Sequence, residues 1–152
     1  MKEDQTWQNK ELAAELFLSP SEILLSLSRS EAAGLIDYPQ SKKVYRQAIW
    51  EFIEHGLRYV FPAIPGTIVN GTYTAHSHPF MKTKFPSEEN YVWPDGRGKD
   101  RGLAIEPLLE EQVKAAAADP SFYRMMALVD VLRVGRAREK TIAADELRNI
   151  IL

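Results

Sequence analysis

The sequence predicts a mainly helical α+β protein, and two patterns along the chain indicate it. Apolar residues follow the 3,4 spacing of amphipathic helices over residues 9–57 and again over 108–152. Between these regions, residues 58–106 carry short or alternating apolar runs separated by Pro, Gly and Asn. We therefore predict an N-terminal helix–turn–helix module with a following helix at 1–57. A small α/β partner or oligomerisation region then occupies 58–152.

The composition excludes several classes of protein. The chain has 152 residues, a formal net charge of −2 and no cysteine, so it has no disulfides, thiolate metal sites or Cys nucleophile. Its apolar runs are shorter than the ~20 residues of a membrane helix. The N-terminus has no apolar segment typical of a secretion signal. We expect a cytoplasmic protein with no membrane partner.

The N-terminal helices are delimited by their end residues. Asn9 is the expected cap of a first helix that ends at Ser19-Pro20. Ser19 then caps a second helix, because Glu22 stands three residues later as in a capping box. Gly34 ends this helix in a left-handed conformation, and Leu35 and Ile36 follow as a short extended piece.

Ser41 is predicted to cap a third helix that runs from Lys42 to Leu57. Because this helix starts so soon, we expect no wing of two strands after the second helix beyond a very short one at Tyr38 to Val44. Its apolar stripe includes Ile49, Phe52 and Ile53. We expect this stripe to pack directly on the N-terminal helix pair.

The remaining elements follow from local patterns. Short strands are expected at 58–61, 67–69, 72–74, 91–93 and 102–106, with Asn70-Gly71 as a hairpin turn and 94–98 as a second turn. Residues 75–90 are rich in turn formers and predict a long surface loop. An Ala-rich helix at 108–118 precedes a helix opened by Asp119-Pro120 and ended by Gly135, and Thr141 caps the last helix.

The N-terminal pair resembles the helix–turn–helix of winged-helix transcriptional regulators such as the MarR family. The resemblance covers about residues 6–37 and is carried by a small set of positions in the two helices. These are Glu11-Leu12-Ala13, Leu16, the turn at 18–21, Ile23, Leu27, Arg29 and the ending Ala33-Gly34-Leu35-Ile36. Only six residues precede Trp7, so we expect that the first helix of a winged helix is absent, that the start site is internal, or that a partner takes its place. The rest of the chain resembles uncharacterised bacterial proteins.

The resemblance implies a DNA-binding transcriptional regulator, expected to be dimeric, whose second helix enters the major groove of double-stranded DNA. The start of that helix would lie nearest the bases, and basic residues would contact phosphates. The residues nearest the bases would be Ser19, Pro20, Ser21 and Glu22, and those on phosphates Arg29, Lys42, Lys43 and Arg46. Residues 58–152 would bind a partner or a second copy.

The alternative is a protein-interaction subunit, such as the antitoxin-like or regulatory half of a two-gene bacterial system. Leu24 and Leu25 lie where a DNA reader usually presents polar side chains, and exposed adjacent leucines are typical of a contact surface. Residues 1–57 also hold six Lys or Arg against nine acidic residues, a net charge of −3, which disfavours strong independent binding to phosphates. The partner would be a neighbour-encoded protein.

The sequence does not predict an enzyme, and we expect no cofactor and no metal ion. His76 and His78 lack the further ligands that a metal site needs, so we expect them to bond to backbone or water. No Gly-x-Ser-x-Gly elbow surrounds Ser77, and Gly96-Arg97-Gly98 is best interpreted as a turn. The basic run at 133–140 either contacts nucleic acid or an acidic partner surface, or it complements a helix dipole.

Overall fold

The computed structural model describes residues 7–152, and it confirms the mainly helical α+β class. The helices are α1 (Asn9–Leu16), α2 (Pro20–Ala32), α3 (Arg46–His55), α4 (Leu57–Val60), α5 (Pro79–Lys82), α6 (Gln112–Ala118), α7 (Pro120–Val134) and α8 (Ala137–Ile151). The strands are β1 (Ile68–Tyr73), β2 (Tyr91–Pro94) and β3 (Asp100–Ala104). Within residues 7–152, none of these helices combines the length and apolar character needed to span a lipid bilayer.

The ends of α2 agree with the prediction. The Ser19 hydroxyl accepts the Glu22 backbone N–H at 3.2 Å, and the Glu22 carboxylate accepts the Ser19 N–H at 2.7 Å. Gly34 has a φ of +76°, which a residue with a Cβ rarely adopts. At α1 the prediction is off by one residue, since Gln8 caps the helix and Asn9 is its first residue.

Residues 41–45 are not helical, which corrects the predicted start of α3. Ile36 and Val44 form an antiparallel bridge. The Asp37 N–H donates to the Lys43 carbonyl at 2.8 Å, and the Tyr45 N–H donates to the Leu35 carbonyl at 2.9 Å. The Ser41 hydroxyl bonds to the Asp37 side chain rather than capping a helix. Residues 35–45 therefore form a hairpin directly after α2, and α3 starts only at Arg46.

The sheet is built differently from the prediction. Residues 57–60 form a helical turn, and β1 is one strand that runs through Asn70-Gly71 without a hairpin. β1 pairs antiparallel with both β2 and β3, which pair with each other in parallel. A Cβ at Gly71 would lie 1.9 Å from the Trp93 carbonyl oxygen. Glycine is thus needed here for close approach between strands and not for a turn.

Residues 75–90 are not a plain surface loop. Residues 75–78 are buried, Ala75–Ser77 form a 3-10 helix, and α5 follows after His78. Towards the C-terminus, Asp119 caps α7 as predicted, accepting the N–H groups of Ser121 and Phe122, and α7 ends at Gly135. α6 begins at Gln112 and not at Leu108. α8 begins at Ala137 rather than Thr141, whose hydroxyl donates back to the Ala137 carbonyl.

The main core lies around α7, and α3 belongs to it. Buried core residues come from α3, α4, α7 and α8 and include Trp50, Leu57, Leu128, Val131, Leu147 and Ile151. Ile49, Phe52 and Ile53 pack against this cluster. α3 packs mainly on α8, whereas α1 packs on α2 and α6. The expectation that α3 packs directly on the N-terminal pair is therefore wrong, because an apolar stripe does not specify which apolar surface it meets.

Candidate nucleic-acid interface

The helix pair presents α2 with one face packed and the others open. Ala13 of α1 and Ile23 of α2 are buried where the two helices meet. Leu27 and Ser30 of α2 are half-buried, and the remaining α2 side chains are exposed in the part of the chain that the structure describes. Since a groove-binding helix must offer a free face over several turns, α2 has the exposure that this role needs.

The residues at the start of α2 are exposed, but some of their polar groups form the hydrogen bonds of the N-terminal cap. Ser19, Pro20, Ser21 and Glu22 are all exposed, as the predicted reading end requires. The Ser19 and Ser21 hydroxyls lie 3.1 Å apart. The hydrogen bond from the Ser19 backbone N–H, followed by that with the Ser19 side chain, lowers the pKa of Glu22. Glu22 is therefore a fixed negative charge at this end of the helix.

The predicted phosphate contacts occupy three different elements. Arg29 is exposed in the last turn of α2, Lys43 is exposed on the hairpin, and Arg46 is the half-buried first residue of α3. Lys42 is already engaged, because its amine donates to the Trp7 carbonyl at 2.9 Å and lies 5.0 Å from the Trp7 ring centre. Of the two hairpin lysines, Lys43 is thus the more accessible.

Two polar contacts fix the hairpin to the start of α1. Besides the bond from Lys42 to Trp7, the Asn9 side-chain amide donates to the Tyr38 hydroxyl at 3.0 Å. Lys42 itself has a φ of +56°, in the left-handed region that non-glycine residues seldom occupy. The hairpin therefore has a defined position beside the helix pair, which the sequence pattern at 38–44 does not indicate.

The same module carries an exposed apolar surface. Leu24 and Leu25 on α2 are 48% and 59% exposed, and Phe17 at the end of α1 is 48% exposed. Isolated exposed apolar residues are ordinary, but Leu24 and Leu25 are adjacent on one helix, and adjacent exposed leucines are typical of a contact surface. We treat Leu24 and Leu25 as the candidate interaction surface.

One residue of the predicted basic run is buried and cannot contact a partner. Arg133 forms an ion pair with Asp130 at 2.7 Å, with about 3% and 1% of their side chains exposed. Its guanidinium also donates to the carbonyls of Phe61 and Glu106. Only the exposed members of the run, Arg136 and Arg138 among them, stay available.

Asp130 is the charged group whose role the sequence analysis missed. Its carboxylate accepts the Thr74 hydroxyl at 2.7 Å and the Trp93 indole N–H at 2.6 Å, in addition to Arg133. Burial raises the pKa of Asp130, and the bonds from Thr74 and Arg133 oppose that rise. One feature of the sequence indicates this pair. An Asp and an Arg lie three residues apart in the otherwise apolar segment 125–134, where a lone charge would be costly to bury.

The two histidines bond to backbone groups, as expected. The His76 Nε2 lies 2.6 Å from the Glu89 carbonyl oxygen, and His78 Nδ1 accepts the Phe80 N–H. Burial, followed by the nearby Arg124 charge, lowers the pKa of His78 to about 4. Across residues 7–152, no group of three or more acidic or imidazole side chains is placed to hold a metal ion.

Comparison with family models, with curated proteins and with solved structures finds no match to this chain. The case for function therefore depends on the geometry of the helix pair, its hairpin and the exposed side chains of α2.

Proposed function

We propose that this chain is a DNA-binding transcriptional regulator of the helix–turn–helix type that acts as a dimer. One observation supports it above the others: a two-helix unit with a short turn is followed at once by a short hairpin closed by one β-bridge, and its second helix is exposed on all but one face. In a helix–turn–helix the second helix is the one that lies in the major groove, and the hairpin would contact the backbone beside it.

In this proposal the exposed face of α2 enters the major groove. Ser21 and Ser28 are one heptad apart and so share a face, and a hydroxyl can donate to or accept from base edges. Leu24 and Leu25 lie between them along the helix. Leucine offers no hydrogen bond, but its methyl groups can contact the methyl group of thymine. The expected preference is therefore for sites that contain A·T pairs.

The cations of the module would supply the phosphate contacts. Arg29 is exposed in the last turn of α2, and Lys43 is exposed on the hairpin that follows it. Residues 1–57 have a net charge of −3, which predicts weak binding by one copy. A dimer doubles the number of phosphate contacts, and this is why the proposal includes one.

The test measures duplex binding by fluorescence anisotropy over a series of salt concentrations, with a site selected from a random pool. Lys43→Ala is expected to weaken binding and to lower the salt slope by about 0.9 for each lost phosphate contact. Lys99→Ala removes another exposed lysine, between β2 and β3, and is the matched control. Absence of any binding at low salt contradicts the proposal.

The exposed leucines favour a second candidate, a protein-interaction subunit without strong DNA binding of its own. Here Leu24 and Leu25 would bind a neighbour-encoded protein. Co-purification of that protein with the wild type and its loss in Leu24→Glu would favour this candidate. Leu109→Glu, at another exposed leucine, is the control. If Leu24→Glu leaves every association unchanged, the second candidate is wrong.

A further inference from the structure

A cleft of about 310 Å³ is lined only by residues from 76 onwards, so no residue of the helix pair contributes to it. Its walls come from His76, from the segment 84–91 between α5 and β2, and from the junction of α7 and α8 at 134–139. This volume is at the lower end of what small-molecule sites use. Neither of the two functions proposed for the helix pair uses this cleft.

Positive charge exceeds negative charge around the cleft. Lys84, Arg136 and Arg138 line it, with Glu89 and Glu139 as the acidic members. The Glu139 carboxylate is engaged, since it accepts the Arg136 backbone N–H at 2.9 Å and its residue is only 9% exposed.

The arginines are open for a ligand. Arg138 lies 5.7 Å from the Phe85 ring centre, and in the part of the chain that the structure describes neither Arg136 nor Arg138 has an acidic ion-pair partner. Lys84 lies 3.8 Å from Glu146, a long ion pair at an exposed site. Guanidinium groups without a carboxylate partner, grouped on a concave surface, raise the local concentration of anions.

Aromatic rings form the wall beside these cations. The His76 and Tyr91 rings meet edge to face with centroids 4.6 Å apart, and Phe85 lines the same cleft. His76 is held in place by its bond to the Glu89 carbonyl and is 6% exposed. His76 thus supports the Tyr91 ring from behind, and the half-buried Tyr91 and Phe85 rings are the ones that a flat ligand ring can contact.

We propose that this cleft binds a nucleotide-sized phosphate ester. Arg136 and Arg138 bind the phosphate, because a guanidinium matches phosphate oxygens with two parallel hydrogen bonds. Tyr91 and Phe85 contact the base, and Glu89 accepts hydrogen bonds from its amino or hydroxyl groups. The site is independent of the helix pair, so its occupancy can be tested without DNA.

The experiment titrates the full chain by calorimetry with each of the four nucleoside monophosphates and, separately, with adenosine and with inorganic phosphate. At least one monophosphate is expected to bind more tightly than adenosine and than inorganic phosphate. Arg136→Gln and Arg138→Gln are each expected to weaken it by about tenfold or more, with Arg138→Lys recovering part of the loss. Arg97→Gln, at an exposed arginine of the 95–98 turn, is expected to bind as the wild type does.

Two results overturn the proposal. One is that no monophosphate binds at millimolar concentration to a chain whose melting curve shows it to be folded. The other is that inorganic phosphate binds as tightly as the nucleotides, which indicates an unspecific anion site only. Unchanged melting curves of the glutamine variants separate lost binding from lost folding.

Discussion

Asp130 and Arg133 form a buried ion pair, one turn apart on α7, with 2.7 Å between carboxylate and guanidinium. Between them they bond to four separate segments of the chain, through the side chains of Thr74 and Trp93 and the carbonyls of Phe61 and Glu106. The pair therefore joins the sheet and the loops on either side of it to the central helix.

Asp130→Asn is expected to destabilise the fold by about 3–5 kcal/mol, because it leaves the Arg133 charge buried without its partner. Asparagine has nearly the same volume as aspartate and can still accept the hydrogen bond from the Thr74 hydroxyl. The lost stability is therefore due to the missing charge and not to a cavity. Denaturant unfolding measures it. Asp145→Asn, at an exposed aspartate of α8, is the control and should change stability by less than about 0.5 kcal/mol. Equal midpoints for Asp130→Asn and wild type would refute a structural role for the pair.

His78 is expected to make stability depend on pH. Its pKa is lowered from 6.5 to about 4 in the folded chain, so between these values the unfolded chain binds a proton that the folded chain does not. The stabilisation is complete above pH 6.5 and is lost as the pH falls towards 4, up to about 3 kcal/mol.

His78→Asn keeps an acceptor for the Phe80 N–H at the start of α5 and removes the titrating group. Unfolding curves of wild type and variant are expected to diverge over this pH interval, with the wild type losing more stability. The Asp and Glu side chains titrate in both proteins, so their effect on stability cancels when the two pH profiles are subtracted. Parallel pH profiles would show that His78 is not held neutral by burial.

Asp119→Ala is expected to cost about 1 kcal/mol by removing the cap of α7. Asp119 accepts two backbone N–H groups at the start of the helix, and alanine leaves both without a partner from the chain. Ser121→Ala, two residues later and exposed, is the matched control. An unchanged denaturation midpoint for Asp119→Ala would mean that solvent caps the helix equally well.

Phe52→Ala tests which helices α3 packs against and stabilises. Phe52 is half-buried against the main core, so the expected loss is about 2–3 kcal/mol, below the ~3–5 kcal/mol of a fully buried Phe. In native-state hydrogen exchange, amide protection is expected to fall in α8 while that of residues 9–33 changes little. Selective loss of protection in residues 9–33 would place α3 on the N-terminal pair instead.

The sequence predicted well those features that depend on a few adjacent residues. The capping box of Ser19 and Glu22, the left-handed Gly34 and the Asp119-Pro120 helix start are local chemistry, and each is confirmed. The fold class is confirmed for the same reason, since helical spacing over ten or more residues is a strong pattern.

Helix starts are off by a few residues at α1, α6 and α8, and the larger errors concern pairing at a distance. Asn70-Gly71 suits a hairpin turn, but the close approach of the Trp93 carbonyl makes the same glycine necessary in a continuous strand. The position of Val44 fits the apolar stripe of a helix as well as it fits an extended segment. Its bridge to Ile36 makes this segment extended. The burial of Arg133 depends on carbonyls 27 and 72 residues away along the chain, which no local pattern contains.

The central claim is that the outer face of α2 contacts duplex DNA, and site-specific crosslinking tests it most directly. The chain has no cysteine, so Ser21→Cys, Ser28→Cys and Ser121→Cys each introduce one attachment point for a photocrosslinker. Ser121 is exposed on α7 and serves as the control. We expect the two α2 variants to crosslink to the selected duplex at low salt and the α7 variant not to. Crosslinking of all three with equal yield, or of none, would contradict the claim.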